Sequence, residues 1–408
     1  MQPRRVVITG LGGISPLGQS IDELVLAIAQ NHSAVRTMAG WEQYKGLRSL
    51  VAAPAEMKNE KAIPRQSRRS MGRMSIFAVQ AAQQAVADAG IQAADLTSGR
   101  AGCVVGSTMG SAISMNETFE LMLPERDLTK LGSMMFFQCI SHTASMNVAQ
   151  CLGLRGMVLA TSAACASALQ AIGTGCDLIR LGRQDLMLCG GAEELHPTVT
   201  ASFDVLFATS TKYNQTPDKT PRPFDRDRDG LVCGEGSGIV LLEEYERATR
   251  RGARIYAEVV GYHTCGSGSH VSESDRESMA ICMRQALANA ELVPAQVDYI
   301  NAHATATLQG DKEEAEAIRE VFGSQVPVSS LKGYMGHTLG ASAALELGAA
   351  LKMKDQGVIY PTRNLDTVSP ECAGVCHVRQ ALQKPINVIV KNSFAFGGIS
   401  AVLVCRGL

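Results

Sequence analysis

Of the twelve cysteines in this 408-residue chain, one stands where a thiol could react. Cys165 follows the apolar run Met157 to Ala160 and a small-residue turn, and it opens a segment with helical spacing that runs to about Arg180. The expectation is a buried strand, an elbow, and a helix with the thiol at its N-terminus. Unpaired N–H groups there favour an anion, which lowers a thiol pKa. The same groups could hold a developing oxyanion. A buried cysteine that only packs as a small hydrophobe is the competing reading. Two histidines could serve such a thiol. His303 lies in Asn301-Ala-His-Ala-Thr305-Ala-Thr307, and His337 in Lys332-Gly-Tyr-Met-Gly336-His-Thr-Leu-Gly340. Small neighbours let a ligand approach the backbone closely. A thiol and two imidazoles are the parts of a nucleophilic site, with base and electrophilic support. Lys332 either pairs with Glu346 or lends its charge to that site.

Positioning these residues takes a framework, and the chain supplies one twice. Strand and helix patterns alternate from Arg5–Thr9 through Ala101–Ser107, the Cys165 elbow, Asp185–Cys189 and Ser237–Glu243. From Ile255 the alternation begins again, with strands over 255–261, 297–302, 326–329, 386–391 and 400–405. Helices are expected over 273–290, 311–322 and 339–354. The chain therefore divides at residue 252 into two similar α/β halves, 1–252 with the thiol and 253–408 with the histidines, facing each other across a cleft.

Composition excludes other classes. A net charge of −1 argues against nucleic acid as the main partner, because phosphate binding needs a basic excess. No apolar run approaches the ~18 residues that span a bilayer, so no membrane insertion is expected. Scattered cysteines suit a reducing compartment, and a cytoplasmic location is expected. Gly10-Leu-Gly12-Gly13 lacks the third glycine of a dinucleotide fingerprint, since position 15 is Ser15. The Asp225, Asp227, Asp229 loop places Gly236 where a calcium loop needs its glutamate. A loop laced by Arg–Asp pairs is the better reading. Cys372, Cys376 and His377 offer no fourth zinc ligand at normal spacing, so no metal is expected. The densest basic cluster, Arg65, Arg68, Arg69 and Arg73, suits either a solvated helix start or a landing patch for an acidic partner.

Four ordered motifs resemble one family. Ala164-Cys165-Ala-Ser, Asn301-Ala-His303-Ala-Thr305-Ala-Thr307, Lys332-Gly-x-x-Gly336-His337-x-x-Gly340 and Asn392-Ser-Phe-Ala-Phe396-Gly397-Gly398 are similar to the signatures of β-ketoacyl-acyl-carrier-protein synthases. Arg222-Pro-Phe-Asp-x-x-Arg228-Asp-Gly230 resembles a fifth. Leu206-Phe-Ala-Thr-Ser-Thr-Lys212-Tyr-Asn is closest to the synthase I type. The resemblance implies a thiolase fold, a five-layer αβαβα sandwich of two similar halves, and a homodimer. It implies a decarboxylative Claisen condensation of malonyl-acyl-carrier protein with an acyl thioester on Cys165. His303 and His337 would stabilise the enolate, Lys332 would support them electrostatically, and the N–H groups of Cys165 and Phe396 would hold the oxyanion. Thr305 and Thr307 would contact the phosphopantetheine arm of the carrier substrate, with no other cofactor bound. Phe396, with Gly397 and Gly398, would form the gate. Met109 would set the floor of the acyl pocket. Arg65, Arg68 and Arg69 would dock the acidic carrier protein.

The chain departs from that pattern at Ala304, Ala395, Ile399 and Leu231. A Cβ at 304 is expected to crowd a turn, and Ala395 to stiffen the gate loop. These changes point to an atypical acyl pocket and a specialised polyene or polyketide-like pathway. Two alternatives share the fold. A thiolase would use coenzyme A thioesters and a second cysteine; Cys405 lacks that motif. A non-catalytic chain-length-factor subunit would lack the nucleophile.

Overall fold

The computed structural model describes residues 3–408. One continuous sheet of eleven strands runs through the molecule. In chain order these are β1 (Val6–Ile14), β2 (Ala101–Gly106), β3 (Val158–Leu159), β4 (Leu186–Glu193) and β5 (Gly236–Glu244). The second half adds β6 (Ala257–Gly266), β7 (Tyr299–Asn301), β8 (Pro327–Ser329) and β9 (Cys376–His377), then β10 (Val388–Ala395) and β11 (Ile399–Arg406). Their spatial order is β3-β2-β4-β5-β1-β6-β11-β10-β7-β8-β9.

That order reads the same outward from the centre. In the first half β1 pairs antiparallel with β5, β5 antiparallel with β4, then β4–β2 and β2–β3 are parallel. In the second half β6 pairs antiparallel with β11, β11 antiparallel with β10, then β10–β7 and β7–β8 are parallel. The short β9 extends the far edge. Among the described residues, Val7↔Glu258 and Ile8↔Ala257 join the halves within the sheet.

Helices cover the sheet in three layers. The outer layers are α1 (Arg73–Asp88) with α2 (Thr143–Leu152), and α4 (Arg276–Asn289) with α5 (Leu308–Phe322). Between the two half-sheets lie α3 (Ser167–Arg180) and α6 (Ser342–Gln356), each touching strands of both halves. The result is the five-layer thiolase fold. The middle helices read as such from their side chains. Residues 342–351 of α6 are buried all round, as an internal helix must be. In α3 a Cβ at Gly173 would sit 2.2 Å from the Tyr262 ring, and one at Gly175 2.2 Å from Cys189 Sγ. Glycine at these positions lets one helix press against both sheets at once.

The sequence expectations need correction at Met157 to Ala160. Instead of a buried strand, only Val158 and Leu159 are extended, and they are 40% and 37% exposed. They pair on one side only, with β2, and form the open edge of the sheet. An apolar run cannot itself say whether the layer beside it belongs to the same chain. The Arg–Asp loop is present: Arg222 Nε lies 3.0 Å from Asp225 Oδ1, and its Nη2 2.6 Å from Asp366 Oδ2.

Candidate active site

The elbow is tighter than its sequence suggests. A single 3₁₀ turn, Ala164–Ala166, precedes α3, and Ala164 takes φ +46°. An L-residue there is strained. The same device recurs at Leu339, φ +47°, in the 3₁₀ turn that leads into α6. At the first elbow the strain presents Cys165 to the second half. Ser393 Oγ donates to the Cys165 carbonyl at 2.8 Å and fixes the elbow against β10.

His337 Nε2 lies 2.9 Å from Cys165 Sγ. The His303 ring stands nearly perpendicular to that of His337, with centroids 5.2 Å apart. One donor atom from each of the three residues falls within 4.8 Å of the others. Cys165 and His337 are fully buried and His303 is 7% exposed. His337 is set by backbone pairing: its N–H donates to Val232 O, and Gly234 N–H donates to its carbonyl. His303 is set by Glu314, which accepts from the N–H groups of His303 (2.8 Å) and Ala304 (2.6 Å) and from Asn392 Nδ2 (3.0 Å).

The electrostatics reverse one expectation. Burial pushes the Cys165 thiol up to about 12, against the opposing pull of Lys332 and of the backbone N–H groups of Cys165 and Phe396. The backbone N–H groups still favour the thiolate, but the cost of burying a charge outweighs them. Here the resting sulfur is a thiol beside an imidazole. Burial also holds His303 and His337 well below the usual histidine value, helped by the charges of Lys332 and Lys391. Both rings are therefore neutral, able to accept one proton or donate one hydrogen bond.

Lys332 Nζ forms an ion pair with Glu346 Oε1 at 2.7 Å. It thus acts as the ion-pair partner and as a charge felt by the site. Thr305, Thr307, Phe396 and Gly398 line the cavity together with Cys165, His303 and His337. Thr307 and Phe396 also line a neighbouring cavity, beside Phe207 and Leu308. Phe396, Gly397 and Gly398 form the turn of the β10–β11 hairpin, with Ala395 opposite Ile399. Gly397 and Gly398 take φ of +90° and +74°.

Other expected site residues stand elsewhere. Gly397 turns away from the cavity and donates its N–H to Val271 O. Met109 is 44% exposed and is not in the cavity wall. It sits in the turn after β2, just ahead of the helix Ala112–Met122, whose outer face is also apolar and exposed. Arg65 and Arg69 are exposed, whereas Arg68 turns inward to Ile63 O and Glu60. Ala304 causes no strain, because the left-handed residue of that loop is Ala306, φ +73°, whose N–H is held by Asp311. Ala395 is an ordinary strand residue. Cys405 lies buried within β11, opposite Ile389, outside the cavity.

Two residues outside the motif positions complete the site, Glu314 and Lys391. Glu314 carries a trace in the sequence: Asp311, Glu314, Ala315 and Ile318 share the buried face of α5 at helical spacing. Lys391 is a charge that directly follows the apolar run 388–390 within β10.

Comparison with known proteins gives the family and the fold. Residues 3–248 match the β-ketoacyl synthase N-terminal domain, and 256–366 match its C-terminal domain. The 3-oxoacyl-[acyl-carrier-protein] synthase 1 of Haemophilus influenzae is 35% identical over 409 residues, covering 99% of both chains. The crystal structure of a β-ketoacyl synthase from Burkholderia phymatum superposes with a TM-score of 0.96 at 42% identity, covering 99% of this chain and 100% of that one. AntDE:AntF, a type II polyketide acyl-carrier protein in complex with its ketosynthase bound to the hexaketide, superposes with a TM-score of 0.92 at 32% identity, covering both chains fully. Fold and site together define a thiolase-fold ketosynthase. The chain belongs to the β-ketoacyl synthase family: it is an acyl-transferring enzyme that elongates acyl chains by Claisen condensation.

Proposed function

We propose that Cys165 carries the growing acyl chain and that both substrates arrive on the phosphopantetheine arm of an acyl-carrier protein. The observation that carries this reading is the 2.9 Å contact between Cys165 Sγ and His337 Nε2, beside His303 and at the floor of a cavity lined by Thr305 and Thr307. As sulfur attacks the incoming thioester carbonyl, its proton passes to His337 Nε2. The N–H groups of Cys165 and Phe396 hold the oxyanion, and the pantetheine thiol leaves with a proton. A malonyl thioester then enters. Its C–COO⁻ bond breaks, CO₂ departs, and the electron pair forms an enolate whose oxygen accepts hydrogen bonds from His303 and from His337, the latter now in the tautomer that carries its proton on Nε2. The enolate carbon attacks the acyl-Cys165 carbonyl. The new C–C bond forms, the C–S bond breaks, and the Cys165 sulfur leaves as a thiolate that takes one proton from water to restore the resting thiol.

Phe396 gates this cavity from a hairpin turn. Arg65 and Arg69, exposed and outside any ion pair recorded among the described residues, meet the acidic carrier protein, with Arg68 bracing the segment. The polypeptide divides near residue 252, a reading supported by the matching strand orders on either side. A homodimer covers the open edge. Val158 and Leu159 there, and Met115, Phe119, Phe136 and Phe137 on adjoining segments, are exposed in the single chain. An unpaired apolar edge strand invites a second copy. Met109 would then face the acyl pocket from that boundary. Among the described residues no helix is long and apolar enough to cross a membrane; with twelve free thiols, a cytoplasmic enzyme is the consistent reading.

The test mixes purified enzyme with acyl- and malonyl-carrier proteins and follows both CO₂ and 3-oxoacyl-carrier protein. The expected result is one CO₂ per condensation, with no condensation product from Cys165→Ala. Equal product from coenzyme A thioesters without CO₂ release would contradict the proposal.

A further inference from the structure

Lys391 is a buried lysine that follows three apolar residues, Val388–Val390, in the sheet. It lies on β10 between Val390 and Asn392, opposite Asn301 of β7 and Leu403 of β11, and is 1% exposed. Successive side chains of a strand alternate faces. Asn392 reaches the outer helix α5 through Glu314, and Lys391 points the other way, into the middle layer. There its Nζ lies 2.8 Å from Glu346 Oε2 and donates to Asn392 O at 2.7 Å. Glu346 Oε1 is already taken by Lys332 at 2.7 Å. Two ammonium groups thus share one carboxylate, with all three residues buried.

Such an arrangement needs a reason. Burying an ammonium without its own counter-charge is unfavourable, and an apolar side chain in a sheet interior would avoid that cost. The reason stands beside it. His303 and His337 both feel Lys332 and Lys391, and each charge opposes protonation of the rings. The groups facing the pair are otherwise few. Glu193 of β4 accepts from the N–H groups of Thr108 and Gly340, is pushed up by burial to about 7, and acts on Cys165. Glu314 of α5 spends both oxygens on N–H donors. Tyr299 of β7 pairs with Ser329 and Asn301.

We infer that Lys391 is a positioning residue for the condensation: by sharing Glu346 with Lys332 it leaves the middle layer one positive charge in excess, and that charge keeps His303 and His337 neutral for proton acceptance and hydrogen-bond donation. This rests on the roles proposed above for the two histidines. Lys332 alone with Glu346 would form a neutral pair. The second lysine supplies the excess. Burial lowers Lys391 itself to about 8, with Glu346 opposing that shift. The excess charge is therefore half present near pH 8 and about nine-tenths present by pH 7, so it is in place where histidines would otherwise protonate.

The experiment compares Lys391→Met and Lys391→Arg with wild type in the kcat/KM of Cys165 acylation by an acyl-carrier protein, from pH 5 to 9. Lys391→Met leaves a one-to-one Lys332–Glu346 pair, so no orphan charge threatens the fold. Removing a positive charge near an imidazole stabilises its protonated form and raises its pKa. The acid limb should therefore move up by about one pH unit, a loss that approaches tenfold below the wild-type midpoint and vanishes about two units above it. Lys391→Arg should keep the wild-type limb. A loss that is uniform across pH, or an equal limb shift in both variants, would overturn the inference. So would a wild-type enzyme that takes no acyl group on Cys165, since the histidine roles would then fail with it. A second measurement needs no variant. In ¹⁵N-histidine-labelled wild type, the rings of His303 and His337 should remain neutral through the ordinary midpoint of about 6.5. A transition at or above it contradicts the inference.

Discussion

Cys165 is buried, and burial disfavours its thiolate more than Lys332 and two backbone N–H groups favour it. In the proposed mechanism proton removal falls to His337, whose Nε2 touches the sulfur, and not to His303, which packs against His337 and Phe394. The two histidines should separate kinetically. His337→Ala is expected to slow Cys165 acylation by about 10²–10⁴-fold, as loss of a positioned base does. His303→Ala should leave acylation near wild type and lower malonyl decarboxylation by about 10²–10³-fold, as loss of one oxyanion donor does. Single-turnover acylation and CO₂ release, measured on each variant, check the split. At this scale the motifs carried Cys165, His303, His337 and Lys332, because each sits among small residues in a recognisable run. They could not carry Glu314 or Lys391. A glutamate on an amphipathic helix reads as a solvated charge unless its place on the inner face is counted. A lysine in a strand shows its partner only when Glu346 is folded beside it.

Between residues and molecule stand the two elbows and the gate. The β10–β11 hairpin turns through Phe396, Gly397 and Gly398, and both glycines occupy the left-handed region. At Gly398 a Cβ would lie 2.3 Å from Ser267 Oγ. Gly398→Ala is therefore expected to destabilise the enzyme by about 1–2 kcal/mol, the cost of an L-residue in that conformation. It should also slow acylation, because the turn carries the Phe396 N–H. Urea unfolding and acylation kinetics on the same variant test both. Element positions were largely legible in the chain: apolar runs such as Ile389–Val390 and the buried face of α3 declare themselves by period. The strain was not. Ala304 looked crowded only because a loop glycine was assumed necessary there, whereas the residue that takes positive φ is Ala306, held by Asp311 from the next helix.

Across the whole molecule, the repeated strand order explains why a thiol and two histidines more than a hundred residues apart meet. Each half ends its inner elbow at the same depth, one bearing Cys165 and the other preceded by His337. The alternating patterns of the sequence revealed the two halves, but not that Val158 and Leu159 would be left at an open edge. That edge predicts a dimer. Sedimentation should give twice the chain mass, and Val158→Lys should shift the enzyme towards monomer, since a charge on an edge strand blocks pairing. A monomeric wild type, fully active, would contradict it.

The central claim is that this buried thiol carries the acyl chain. Purified enzyme exposed to an acyl-carrier protein, digested and weighed, should show the acyl mass on the Cys165 peptide and on no other of the twelve cysteines. Acyl mass on a different cysteine, or none on any, would contradict the account.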